Sequence, residues 1–176
     1  MKKRIGKTNR RPLFMILTLT LWLAAIFSFS SETYQQQTII PILKKLFSEA
    51  QIAAHAPDWR ITYKSYHYSI QRDPYHFIEF VFRKGAHLFM YGILGAILFL
   101  QLRRRIYSLY VRTLLTLMGG ALVAFVDEWN QKRSAGRFST IDDVLIDVTG
   151  AAAGILIMLA VNSTKENKNQ NGGYKM

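Results

Sequence analysis

Residues 83–102 read RKGAHLFMYGILGAILFLQL, an apolar run headed by Arg83, Lys84 and His87. From about residue 86 to 102 the stretch comes close to the ~20 helical residues that a bilayer core requires. Three further stretches reach the same standard, at about 13–29, 109–126 and 144–161. A soluble domain rarely carries four such runs in 176 residues. The pattern predicts an all-α fold, an integral membrane four-helix bundle. Ionisable side chains bound these runs. Asp127, Glu128 and Gln131 close LTLMGGALVAFV, and Asp143 and Asp147 open DVLIDVTGAAAGILIMLAV, with Arg137 just before. A charge at membrane depth costs at least ~2.5–3.5 kcal/mol on insertion scales unless it finds a partner or water, so these groups are the functional candidates.

The formal net charge is +12 and there is no cysteine, which excludes disulfides, thiolate metal sites and a cysteine nucleophile. The whole excess sits in three places. These are the tail MKKRIGKTNRR, the segment carrying Arg103, Arg104, Arg105 and Arg112, and the residues after Val161; the rest of the chain balances. In a four-span topology all three lie on one side, and the positive-inside rule makes that side, with both termini, cytoplasmic. The expected location is the plasma membrane. A nucleic-acid partner would need this charge on a folded polar face, so none is expected.

The chain divides into a basic tail (1–12), a membrane domain (13–161) and a tail of disordered composition (162–176). The first span is read as an uncleaved anchor; a signal peptide is the alternative, although the run is long for one and SFSS is a weak cleavage site. The segment from Ser30 to Arg72 is the long extracellular loop. Within it Pro41 starts an amphipathic helix with Leu43, Leu46, Phe47 and Ala50 on one face, lying on the outer leaflet or capping the bundle. Trp59, Tyr63, Tyr66 and Tyr68 suit the headgroup boundary. Asp73-Pro74 is a helix start, with Asp as N-cap and Pro at the first position, and the helix then runs from Tyr75 to Leu102.

Helical spacing places Glu79, Arg83, His87 and Tyr91 on one stripe, with Glu79 in the favoured order to pair with Arg83. Asp143, Asp147, Gly150 and Gly154 share a face of the last span, where GAAAG is a small-xxx-small surface that turns Asp147 toward a neighbouring helix. Ser139 with Asp142, and Thr140 with Asp143, have capping-box spacing, and capping suffices to explain Asp142. Asp127 and Gln131 share a face if their helix continues that far. Three readings of the cluster stay open. It is a salt-bridge network that locks the bundle, or an anion site built on Arg83, Lys84 and Arg137, or a metal site on His87, Asp127, Glu128 and Asp147. The neighbouring Arg and Lys weigh against the last, so no metal and no cofactor is expected. Acid–base work by His87 with Asp127 or Glu128 is chemically feasible.

At these residues the chain resembles the VanZ-like family of small bacterial membrane proteins. Arg83 to Gly95 is similar to that family's R-K-x-x-H-F-x-x-Y-x-x-L-G pattern, with Leu88 in place of Phe. Asp127-Glu128-Trp129-Asn130-Gln131, Arg137, Asp143, Asp147 and Gly150 resemble D-E-x-x-Q, a spaced G-R, and D-V-x-x-N/D-x-x-G. Asp147 stands where Asn is common. The likeness covers about residues 75–160. It implies a multi-pass membrane protein of the cell envelope. The family's namesake is associated with resistance to the acylated glycopeptide teicoplanin, which implies glycopeptide tolerance through an outward-facing charged site. The expected partners are membrane lipids, with an envelope lipid precursor or a lipoglycopeptide as ligand. An integral-membrane enzyme acting on such a lipid, or an accessory protein with no ligand, are the alternatives.

Overall fold

A computed structural model of the chain describes residues 11–132 and 141–172, with side chains over 12–132 and 141–164. The elements run α1 (Arg11–Ser31), α2 (Tyr34–Gln37), α3 (Ile40–Leu46), α4 (Glu49–His55), β1 (Arg60–Tyr63), β2 (Tyr66–Ser69), α5 (Pro74–Leu102), α6 (Leu109–Gln131) and α7 (Ile141–Gly172). Among the described residues four helices are long and apolar enough to cross a membrane, over Pro12–Ser31, Pro74–Leu102, Leu109–Gln131 and Ile141–Thr164. The chain is therefore a helical, multi-pass membrane protein, as hydropathy predicts. Phe14, Phe89, Leu122 and Leu156 are each more than 60% exposed, on four different helices. In a bilayer those surfaces face acyl chains and need no further cover.

The helix starts follow local chemistry. Asp73 accepts the His76 amide at 3.3 Å and Pro74 takes the first position of α5, as the Asp-Pro signal predicts. Ser108 accepts the Val111 amide at 3.4 Å and caps α6. α6 runs through Gln131, so Asp127 and Gln131 do share a face.

α5 and α7 form the centre of the bundle by meeting along glycines. A Cβ at Gly150 would sit 2.5 Å from the Leu88 carbonyl oxygen. One at Gly154 would collide with the Gly92 carbonyl, and one at Gly95 with the backbone of Ala151. Without a solvent-driven attraction between spans, close backbone contact is what lets helices associate in lipid. The GAAAG surface is this seam. Tyr91, Leu94 and Ala124 fill the core beside it together with Ile26 of α1, and the Trp22 indole donates to the Met90 carbonyl at 2.9 Å.

The Ser30–Arg72 segment departs from expectation in three ways. The amphipathic helix is broken in two, because Ser48 and Gln51 form a capping box that starts α4. The Ser48 amide donates to Gln51 Oε1 at 2.8 Å, and the Gln51 amide to Ser48 Oγ at 3.3 Å. Its apolar face is open, with Leu46 and Phe47 exposed. The second difference is an antiparallel hairpin, which an all-helical reading omits. It has Tyr63 opposite Tyr66, a two-residue turn, and Lys64 at φ 56°, a conformation that favours glycine or asparagine. Third, Tyr63 and Tyr68 pack on α5, a contact that the headgroup-boundary expectation does not include. Tyr68 stacks on Phe80 with centroids 4.3 Å apart, and Tyr63 tilts against the same ring at 5.2 Å. Beyond Val161 the α7 backbone stays helical to Gly172, where composition alone leads one to expect disorder.

Candidate functional site

The N-terminal halves of α5 and α7 meet the C-terminal ends of α1 and α6 at one end of the bundle, with the hairpin over them. Arg83, Lys84, His87 and Tyr91 come from α5, Asp127, Glu128 and Gln131 from α6, and Asp143 and Asp147 from α7. The structure brings all of them together. Arg137 lies outside the described residues, as do Ser139 and Thr140, the proposed capping partners. Asp142 is exposed and takes no part.

Two layers can be distinguished. The outer one is tied together by Asp143, which is 7% exposed. The Lys84 ammonium and the Tyr63 hydroxyl both donate to its Oδ1, and Lys64 Nζ lies 3.7 Å from Oδ2. Lys84 also lies 4.6 Å above the Tyr63 ring and Lys64 5.1 Å from it. One carboxylate thus meets two ammonium groups from different elements.

Glu79 and Arg83 make no ion pair, contrary to the expectation from their spacing. Tyr34 of α2 stands between their roles. Its hydroxyl donates to Glu79 Oε2 at 2.7 Å, and the Arg83 guanidinium stacks 5.1 Å from its ring. Burial and the Glu79 carboxylate push the Tyr34 hydroxyl from the usual 10 up to about 12. A raised pKa means a contribution to stability that is complete below pH 10 and lost as pH rises through about 12. Tyr34→Phe should lower the thermal midpoint of detergent-solubilised protein at neutral pH. It should also flatten the alkaline fall, bringing the two proteins together at high pH; a constant gap between them would mean that Glu79 does not depend on this hydroxyl.

The inner layer holds Asp127, Glu128 and Asp147, at most 3% exposed. His87 Nδ1 lies 3.0 Å from Asp147 Oδ1, and the Gln131 amide donates to Asp127 Oδ2 at 3.1 Å. Ser30 at the end of α1 donates to the Asp127 carbonyl at 3.4 Å. Among the described residues the mouth is thus rich in cations and the floor in carboxylates.

Two clefts open onto this polar group. One, of about 370 Å³, runs between α1 and α5 and is lined by Ile26, Phe29, Phe82, Phe89 and Met90 as well as by polar groups. The other, of about 220 Å³, lies under the hairpin, with Tyr34, Tyr63, Lys64, Lys84 and Asp143 in its wall. Arg83, His87 and Gln131 line both.

Spacing on the helices missed Tyr34, Tyr63 and Lys64, which belong to the segment before α5. The alternation in ITYKSYHYS, rich in aromatic and β-branched residues around Lys64-Ser65, is the strand signal that could have raised Tyr63 and Lys64. Nothing in the sequence singles out Tyr34.

The sequence model of the VanZ/LLP1 family matches residues 14–162. No curated protein and no solved structure matches the chain.

Proposed function

The chain belongs to the VanZ/LLP1 family, and from that premise we propose that it binds an acylated, anionic amphiphile of the cell envelope, either a membrane lipid precursor or a lipoglycopeptide of the teicoplanin kind. The observation that carries this reading is Arg83. Its half-buried guanidinium faces both clefts, and among the described residues no carboxylate lies within salt-bridge distance of it. A guanidinium that is neither neutralised nor fully hydrated suits a phosphate or carboxylate, which it can grip through two parallel hydrogen bonds. Phe29, Phe82 and Phe89, each more than half exposed, form an apolar wall of the wider cleft that Arg83 also lines. An acyl chain can leave the bilayer there without meeting water. Glycopeptide tolerance would follow from withdrawing such a molecule, or its lipid target, from its site of action.

Titration of purified protein with teicoplanin, and with the same molecule stripped of its acyl chain, tests this. Saturable binding that needs both the chain and Arg83 supports the reading; equal binding of the two molecules would sink it.

A second reading rests on the contact between His87 and Asp147. A carboxylate that orients an imidazole at a cleft is the arrangement of a general base, so an integral-membrane enzyme acting on an envelope lipid is the alternative. His87→Gln would then abolish the phenotype without loss of protein.

The charge bias supports an extracellular mouth with cytoplasmic termini in the plasma membrane. Because the chain has no native cysteine, single replacements report topology directly. Ser65→Cys in the hairpin turn should react with an impermeant maleimide on intact cells, and Ser163→Cys only after permeabilisation; the reverse pattern would invert the bundle.

A further inference from the structure

We infer that His87, Glu128 and Asp147 form a binding site for a divalent first-row cation such as Zn²⁺ or Mn²⁺. The three residues come from α5, α6 and α7, and one donor atom of each lies within 4.8 Å of the other two. Ligands around one such ion at ~2.0–2.2 Å are about 3–4 Å apart, so side-chain closure of about an ångström completes the cage. Imidazole with carboxylates suits zinc, manganese or ferrous iron better than the all-oxygen sets of magnesium and calcium.

Two observations point to a cation in particular. Asp147 is fully buried; its Oδ1 faces His87 at 3.0 Å, while Oδ2 has no hydrogen-bond partner among the described residues. A buried carboxylate oxygen without a donor is costly, and a cation removes that cost. The second concerns the sequence-based objection that Arg83, Lys84 and Arg137 would repel a metal, of which Arg137 lies outside the described residues. The structure places the Lys84 ammonium on Asp143 and the Arg83 guanidinium over Tyr34. Both serve the outer layer. Three helices supply the donors, so the geometry is held by the packed bundle rather than by a loop. Three protein donors also leave coordination positions toward the clefts that His87 lines.

The inference does not depend on the lipid reading, because it is measured with the metal alone. Purified protein is stripped with chelator, exchanged into chelator-free detergent buffer, and titrated with Zn²⁺ and with Mn²⁺. Bound metal is read by elemental analysis and the thermal midpoint by circular dichroism. Wild type should retain close to one equivalent of one of these ions and melt at a higher temperature with it. Asp147→Asn should weaken binding at least about tenfold, as loss of a single supporting group commonly does, while Asp142→Asn, exposed on the same helix, should bind like wild type. His87→Gln provides the same comparison if Asp147→Asn fails to fold. Negligible retention of both ions by wild type, or equal losses in the Asp142 and Asp147 variants, would overturn the site.

Discussion

Gly154→Leu should leave no packed bundle. The position lies on the α5–α7 seam, where even a Cβ would collide with the Gly92 carbonyl and approach the Ala96 amide to 3.1 Å. Overpacking against side chains costs ~1–3 kcal/mol because they can yield by changing rotamer. Backbone in the middle of a helix has no such escape, so α7 must move away from α5. That separation would undo the glycine contacts at Gly150 and Gly95 and pull Asp147 from His87. The expected loss exceeds ~4–5 kcal/mol, the range that marks a disrupted core. Leucine raises hydropathy, so insertion should be intact while packing fails. The readouts are the thermal midpoint and monodispersity in mild detergent. Gly85→Ala is the matched control: nothing lies within 4 Å of a Cβ there, and alanine gains up to about 1 kcal/mol of helix propensity. A Gly154→Leu protein that elutes and melts like wild type would show that the seam is not what holds the helices.

Arg83→Gln should cost the protein its ligand and little else. Hydrogen bonds to a charged group contribute ~1.5–3 kcal/mol, which is about 10–100-fold in affinity for an anionic amphiphile. The effect should survive in Arg83→Lys in weakened form, since an ammonium cannot reproduce the two-point grip of a guanidinium. Stability should change little, because among the described residues the guanidinium stacks on the Tyr34 ring and has no salt bridge to break. The same variant therefore separates two roles. If Arg83→Gln lowers abundance and thermal midpoint but binds the acylated probe normally, the residue belongs to a structural network and the ligand reading fails.

The candidate site was legible as a set of residues and illegible as a set of pairs. His87, Asp127 and Asp147 stand out because ionisable groups within or against an apolar run need a reason, and helical spacing turns His87 and Asp147 inward. Their partners follow less simply. Spacing along α5 pairs Glu79 with Arg83, but Tyr34 from a distant short helix takes both, one through its hydroxyl and the other through its ring. Lys84 reaches across to Asp143 on α7 and shares it with Tyr63 and Lys64 of the hairpin. The hairpin itself was hidden in a segment whose aromatics equally suit an interface. The broken helix at Ser48 was visible in principle, as a Ser-x-x-Gln capping box inside an amphipathic run.

The four spans, the GAAAG surface of the last one and the inward turn of His87 and Asp147 are decided by composition and period alone. Lipid judges each span one at a time, with every backbone hydrogen bond satisfied inside its own helix, so local sequence suffices. Which cation meets which carboxylate is decided in the assembled bundle. That outcome depends on how the helices are rotated about the glycine seam and on where the hairpin lands. The division into a cationic mouth and a carboxylate floor exists only there.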